Sequence, residues 1–139
     1  MTSVFNDSHA VETAFYDAFR RLDTDRMRAL WIDDESAACV HPGGDLLQGR
    51  IAVMESWAEI FRAAQPPDVG FTVLSADVRD DLAIHLVREH VASADGQHAR
   101  VIATNVYRRT DNGWRMQLHH ASLPLIEKGT ARQPTRPLH

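Results

Sequence analysis

Three tight-turn signatures punctuate the second half of this chain: Asp80-Asp81, Ala94-Asp95-Gly96 and Asp111-Asn112-Gly113. Asp-Gly and Asn-Gly pairs accept the positive φ of hairpin turns, and between them lie runs rich in β-branched and aromatic residues. Four strands are therefore expected, at Val69 to Arg79, Leu82 to Ala92, His98 to Arg109 and Trp114 to Ser122. Connections this short make consecutive strands antiparallel neighbours, since a parallel return needs a crossover of a dozen residues or more.

The first half is helical. Val11, Ala14, Phe15, Ala18, Phe19 and Leu22 fall at helical spacing, with Ser8 positioned to cap a helix from about His9 to Leu22 and Glu12 in its early turns. Asp23-Thr24-Asp25 breaks that helix, and Thr24 or Asp25 caps a short second one through Leu30-Trp31. After the solvated Asp33-Asp34-Glu35 turn, Ala37 to His41 reads as a short buried strand, stopped by Pro42 and by Gly43-Gly44. Gln48-Gly49 leads into a third helix carrying Val53, Met54, Trp57, Ile60 and Phe61, which Gln65-Pro66-Pro67-Asp68 ends. Helices first and a strand meander last predict an α+β fold, a curved antiparallel sheet with three N-terminal helices on one face.

A length of 139 residues suits a single domain with a real core. Residues 1–7 are expected to form a flexible arm, 8–124 the folded domain, and 125–139 a mobile tail containing Gly129, Pro134 and Pro137. The net charge of −4 gives no basic footprint, so neither nucleic acid nor an anionic membrane is an expected partner. No apolar run approaches the ~20 residues that span a bilayer, and residues 1–7 lack the pattern of a signal peptide. The expected location is cytoplasmic. Cys39 is the only cysteine, which excludes an internal disulfide.

Strand parity indicates which side chains can meet. In the last strand, Trp114, Met116, Leu118 and His120 share a face. In the third, Val101, Ala103, Asn105 and Tyr107 share one face, with Ile102, Thr104 and Val106 on the other. In the second, Ile84, Leu86, Arg88 and His90 alternate with His85, Val87, Glu89 and Val91, and parity does not choose between the sets. The helices can cover one sheet face only, so the apolar residues on the other point to a second subunit.

The order of elements, with Phe15-Tyr16 through Leu30-Trp31, Val40-His41-Pro42-Gly43-Gly44, Gly49, Ser56-Trp57, Ala103 to Tyr107 and Gly113-Trp114-Arg115-Met116 to Ser122, resembles the nuclear-transport-factor-two-like superfamily. That group includes ketosteroid isomerase, SnoaL-like polyketide cyclases and the association domain of calmodulin-dependent kinase. The resemblance covers roughly Ala10 to Pro124 and is nearest to small SnoaL-like proteins. It implies a conical barrel with a pocket between the helices and the concave sheet face, and a homodimer through the outer face. The isomerase pattern would put an aspartate at His41, a tyrosine near Phe15 or Tyr16, and an aspartic acid near Asn105. At least two of these three differ here.

The candidate catalytic residues are His41, Asn105 and His120. His41 ends a buried strand beside a glycine turn and titrates near neutrality, which suits a general base. Its plainer role is to hydrogen-bond the Gly43-Gly44 turn. Asn105 or His120 would hold a developing oxyanion; alternatively, Asn105 completes a buried network and His120 tethers strand to helix. Phe15, Tyr16, Trp31, Trp57, Phe61, Tyr107 and Leu118 are candidate pocket walls for a small organic molecule, and first of all core residues. Arg88 and His90 would make the pocket anion-friendly if their face is concave, and are otherwise a solvated or interface pair. Eight histidines raise the question of metal, but there is no HExxH motif and there are no paired cysteines, so neither metal nor cofactor is expected. Convergence of His41, His90 and His120 is the one metal alternative. A non-catalytic binding or assembly module is the rival to an isomerase, cyclase or dehydratase acting by proton transfer.

Overall fold

The computed structural model describes residues 4–92 and 96–122. Its elements are α1 (Ser8–Arg21), α2 (Thr24–Leu30), β1 (Ala38–Val40), β2 (Leu47–Gln48), α3 (Arg50–Ala63), β3 (Asp68–Val78), β4 (Leu82–Ala92), β5 (His98–Thr110) and β6 (Gly113–Ala121). The fold class is α+β, as the sequence indicates: three helices and a six-stranded, mostly antiparallel, curved and unclosed sheet. The two-residue strand β2 has no signal of its own in the sequence.

Side chains satisfy first-turn donors of α1 and α2, while α3 starts at a glycine without a side-chain cap. Asp7, rather than Ser8, caps α1 by accepting from the Ala10 amide at 2.8 Å, and Asp23 caps α2 through the Arg26 amide at 3.0 Å. Helix α3 begins after Gly49, whose φ of 93° and ψ of 150° only glycine adopts without strain.

The strand order is β2-β1-β6-β5-β4-β3. The short β1 runs parallel to β6, pairing Cys39 with His119, while the β3-to-β6 meander is antiparallel throughout. The β5–β6 register jumps from Val106↔Leu118 to Tyr107↔Met116, leaving Gln117 as an extra residue. Such a bulge reverses side-chain parity beyond it. Met116 and His119 therefore both face inward, while His120 is exposed, a correction to the strict alternation expected of this strand.

The main core lies between the helices and the inner sheet face. It includes Phe15, Tyr16, Met27, Leu30, Trp31, Trp57, Val87, Tyr107 and Met116. The flexible arm expected over residues 1–7 is held down in its described part. Phe5 is buried, and its carbonyl accepts from the Trp114 amide at 2.9 Å. The tail expected over 125–139 and the turn residues Ala94 and Asp95 lie outside the described residues.

Candidate active site

Helix α1 and strands β4, β5 and β6 together bury an unusual number of polar side chains. Glu12 and Tyr16 sit one turn apart on α1, on the face that also carries Phe15 and Phe19. His85 and Glu89 are on the inner face of β4, Asn105 and Tyr107 on that of β5, and His119 on that of β6. The β4–β5 register places His85 opposite Asn105 and Ala83 opposite Tyr107, which brings the polar tips together.

Glu12 is the centre of this network. One carboxylate oxygen faces His85 Nδ1 at 2.9 Å; the other accepts from the Tyr107 hydroxyl at 2.7 Å and from Asn105 Nδ2 at 3.2 Å. Burial alone would raise the Glu12 pKa, but the hydrogen bonds from His85, Tyr107 and Asn105 and the proximity of His85 outweigh it and hold the group below its ordinary value. Because Asn105 donates through Nδ2 to a carboxylate, its Oδ1 is the acceptor facing His119 Nδ1 at 2.6 Å. His119 is thereby the Nδ1–H tautomer, with a bare Nε2. Burial, with His41 and His120 nearby, drives its pKa down to about 3, so the ring is neutral.

Glu89 is the second buried carboxyl. The Tyr16 hydroxyl donates to its Oε2 at 2.7 Å and itself accepts from Asn105 Nδ2 at 3.1 Å. Burial pushes the Glu89 pKa up; the Tyr16 hydrogen bond pulls it back in part, the charge on Glu12 raises it again, and it reaches about 7. His119 Nε2 lies 3.8 Å from the same oxygen. With His119 neutral this is a close approach of two proton-accepting groups and not an ion pair.

Glu89 and His119 also line a cavity of about 260 Å³ with His41, Pro42, Phe19, Trp57, Ile60, Val91, Ala99 and Val101. Its wall is overwhelmingly apolar, with one carboxyl and two imidazoles. His41 is partly buried, packs edge-on against Trp57 at 4.8 Å, and lies 3.0 Å from Ser56 Oγ through Nε2. Ser56 donates its own proton to the Val53 carbonyl at 2.7 Å, which suits His41 Nε2–H as donor to Ser56 Oγ, with Cys39 Sγ 3.7 Å from the same nitrogen. Burial lowers its pKa. The indole N–H of Trp57 is buried without a hydrogen-bond partner among the described residues.

Of the candidate catalytic residues, His41 lines the cavity, Asn105 stands behind it in the network, and His120 is exposed on the outer face opposite Thr104. His41 meets Ser56 rather than Asn105 or His120. Tyr16 reaches the site through Glu89, and Trp57 forms a wall. Phe15, Trp31 and Phe61 are buried core residues beside or beyond it, and Tyr107 is Glu12's donor. Arg88, His90 and Leu118 fall on the outer face, because β4 turns its His85–Val87–Glu89 set inward and the β6 bulge turns Leu118 outward. The three histidines His41, His90 and His120 do not converge. Cys39 is buried with its thiol pushed up to about 12, by burial first and Glu89 second, which makes it inert.

Glu12, His85, Glu89 and His119 are the residues that sequence reading passed over. Two signals were present. Glu12 interrupts the apolar stripe of α1 at i, i+3, i+4 and i+7 with Phe15, Tyr16 and Phe19. A hairpin centred on Asp95 pairs Glu89 with Val101 and His85 with Asn105, which resolves the parity of β4.

A curved sheet carrying helices on its concave side, with a small apolar cavity holding a carboxyl and imidazoles, defines an α+β pocket domain of the nuclear-transport-factor-two-like kind. The family model described as a SnoaL-like domain matches residues 9–126, and the chain belongs to that family. A candidate calcium/calmodulin-dependent protein kinase type II association domain from Thiobacillus denitrificans is 40% identical, with a TM-score of 0.83 over 89% of this chain and 99% of its own. A candidate dehydratase of the NTF2-like family from Streptomyces avermitilis is 32% identical, with a TM-score of 0.76 over 86% of this chain and 94% of its own. Among curated proteins, the F-box protein SKIP8 of Arabidopsis thaliana is 27% identical over 118 residues, 85% of this chain. The chain spans half the length of that relative. No helix among the described residues is long and apolar enough to cross a membrane.

Proposed function

We propose that this domain binds a small, largely apolar organic molecule bearing a carbonyl or hydroxyl group, and that Glu89 moves a proton on it. The observation that carries the reading is a single carboxyl, hydrogen-bonded by Tyr16, set beside two imidazoles in the wall of a largely apolar cavity. A carboxyl that titrates near neutrality is both a competent acid and a competent base at physiological pH. The network behind it fixes its geometry, with Tyr16 on Oε2 and Asn105 steering Tyr16 and His119 together. Trp57 N–H has no acceptor among the described residues, and a ligand oxygen would supply one; an unmatched buried donor costs ~1–3 kcal/mol. His41 Nδ1 would accept from a hydroxyl on the same ligand.

The reaction class that fits is proton abstraction and return beside a carbonyl, as in isomerisation, cyclisation or dehydration. The base differs from the sequence-based candidate: Glu89 takes that role, His41 helps to orient the ligand, and Asn105 is a positioning residue. The name of the Streptomyces avermitilis protein supports a dehydratase as one member of this class. The other reading, a non-catalytic assembly module, is favoured by the likeness to a kinase association domain, and the outer sheet face then matters more than the cavity. In either case the domain is proposed to be a homodimer through that face.

The test is solvent-deuterium exchange at carbon. Small cyclic ketones would be screened for ligand-induced melting shifts, and those that bind followed by NMR in D2O. The expected result is catalysed exchange that is lost in Glu89→Gln while binding persists. Binding without exchange in the unmodified protein would leave the non-catalytic binding or assembly module as the better reading.

A further inference from the structure

At the far end of the buried network, away from the cavity, one cluster of the described residues combines two imidazoles and a carboxylate: His9, Glu12 and His85. We propose that these three residues form a binding site for a divalent first-row transition ion.

The geometry is built by two elements. His9 and Glu12 are three residues apart on α1, hence on neighbouring positions of one helical face. His85 projects inward from β4 to meet them. One ligand atom from each residue lies within 4.8 Å of the others. The His9 and His85 rings are 4.6 Å apart with a 38° tilt, and His85 Nδ1 is 2.9 Å from Glu12 Oε1. Two donors each about 2.1 Å from a shared ion are separated by roughly 3.0–3.4 Å along the edge of its coordination shell. The His85–Glu12 separation is already close to that spacing, so an ion beside the N–O line can bind both atoms once His85 Nδ1 gives up its proton and the ring turns toward it. His9 is exposed, which provides both an adjustable third ligand and an entry path.

The surroundings are those of a supported site. The other Glu12 oxygen is held by Tyr107 and Asn105, and His85 Nε2 lies 3.0 Å from Ser8 Oγ. Ordered outer partners of this kind orient ligands and raise affinity. Two nitrogens and one oxygen form a borderline donor set, which selects Zn²⁺, Co²⁺ or Ni²⁺ over the oxygen-seeking Mg²⁺ and Ca²⁺. Three protein ligands leave coordination positions for water. The positive end of α1 opposes a cation here, and the Glu12 carboxylate offsets it.

A purely structural trio needs only Glu12, His85 and Ser8, and leaves His9 as a ring resting on His85. A metal site needs His9, and this difference decides the test. Co²⁺ would be titrated into the full chain by visible absorption and Zn²⁺ by calorimetry, in the unmodified protein, His9→Ala and the exposed-histidine control His120→Ala. The expected result is one ion per chain, an affinity at least tenfold weaker in His9→Ala, in line with the loss of a ligand, and no change in His120→Ala. Saturating Zn²⁺ should also raise the melting temperature of the unmodified protein more than that of His9→Ala. His9 is exposed near the start of a helix, so its replacement by alanine leaves the fold intact. Absence of binding, equal affinity in His9→Ala, or equal loss in His120→Ala would overturn the proposal.

Discussion

At the scale of single residues, the domain places two carboxyls in one buried network and gives them opposite properties. Glu12 collects donors and stays charged; Glu89 has one donor and an apolar wall, and its pKa rises from 4.5 to about 7. Linkage makes this a statement about stability. A carboxyl with a raised pKa in the folded state binds its proton more tightly there than when unfolded, so its contribution is favourable at low pH and is lost as pH rises from about 4.5 through 7. His119, with its pKa lowered to about 3, acts oppositely: folding disfavours its protonation, and stability falls as pH drops below 6.5. The two slopes overlap and partly cancel in the unmodified protein. Replacing Glu89 by Gln removes one slope and keeps an acceptor for Tyr16. Glu89→Gln is therefore expected to match the unmodified protein near pH 4 and to exceed its stability at pH 8, by an amount on the order of 3 kcal/mol for a shift of this size. Urea unfolding of both proteins at the two pH values measures it. A stability gap independent of pH would mean that Glu89 is ionised at its ordinary value.

At the scale of elements, the turns and glycines that position the site matter as much as its side chains. Gly49 holds the start of α3, which carries Ser56, Trp57 and Ile60 to the cavity. Its amide donates to the Ala37 carbonyl at 2.7 Å, and an added Cβ would lie 2.7 Å from Glu35 Oε1. The backbone conformation is itself confined to glycine, so Gly49→Ala should cost about 1–3 kcal/mol and lower the melting temperature by several degrees. Calorimetry of the variant checks this. The same elements show what a sequence can reveal. Helices α1 to α3 and strands β3 to β6 were legible because periodicity and turn chemistry are local. The inward face of β5, with Asn105 and Tyr107, was legible for the same reason. His119 was not, because the bulge at Gln117 is set by pairing with β5 and leaves no local mark, and an error of one residue exchanged it for His120. Glu89 was hidden by an alternation that has apolar residues on both faces of β4. The Phe5 contact is made to Trp114 beside Gly113, where an added Cβ would lie 2.9 Å from the Phe5 carbonyl oxygen, and nothing in residues 1–7 announces it.

At the scale of the whole molecule, the described helices cover one face of the sheet and, among the described residues, nothing covers the other. Ile84, Leu86 and Ile102 are exposed by 37%, 40% and 44%, and the cross-strand register sets Ile84, Val106 and Leu118 in one row and Leu86, Thr104 and His120 in the next. The apolar residues of these rows, Ile84, Val106, Leu118 and Leu86 with Ile102 nearby, sit on one face with Thr104 and His120, and exposed aliphatic groups of this kind favour a partner surface. A stable self-interface buries roughly 1,200–2,000 Å² in total, and the exposed Ile84, Leu86 and Ile102 put the outer face of β4 and β5 forward as its centre. Val106 is half-buried by its cross-strand neighbours and faces away from the core. An aspartate there can be solvated in a single chain, but would be buried without a partner between two, at a cost of several kcal/mol. Val106→Asp is thus expected to sediment as a monomer with unchanged circular dichroism, while the unmodified protein sediments as a dimer at micromolar concentration. Ile51 provides the control, being 72% exposed at the start of α3 and remote from the sheet face. Ile51→Asp should leave the dimer intact. A monomeric unmodified protein would rule out self-association, and a dimer broken by Ile51→Asp but not by Val106→Asp would move the interface from the sheet to α3.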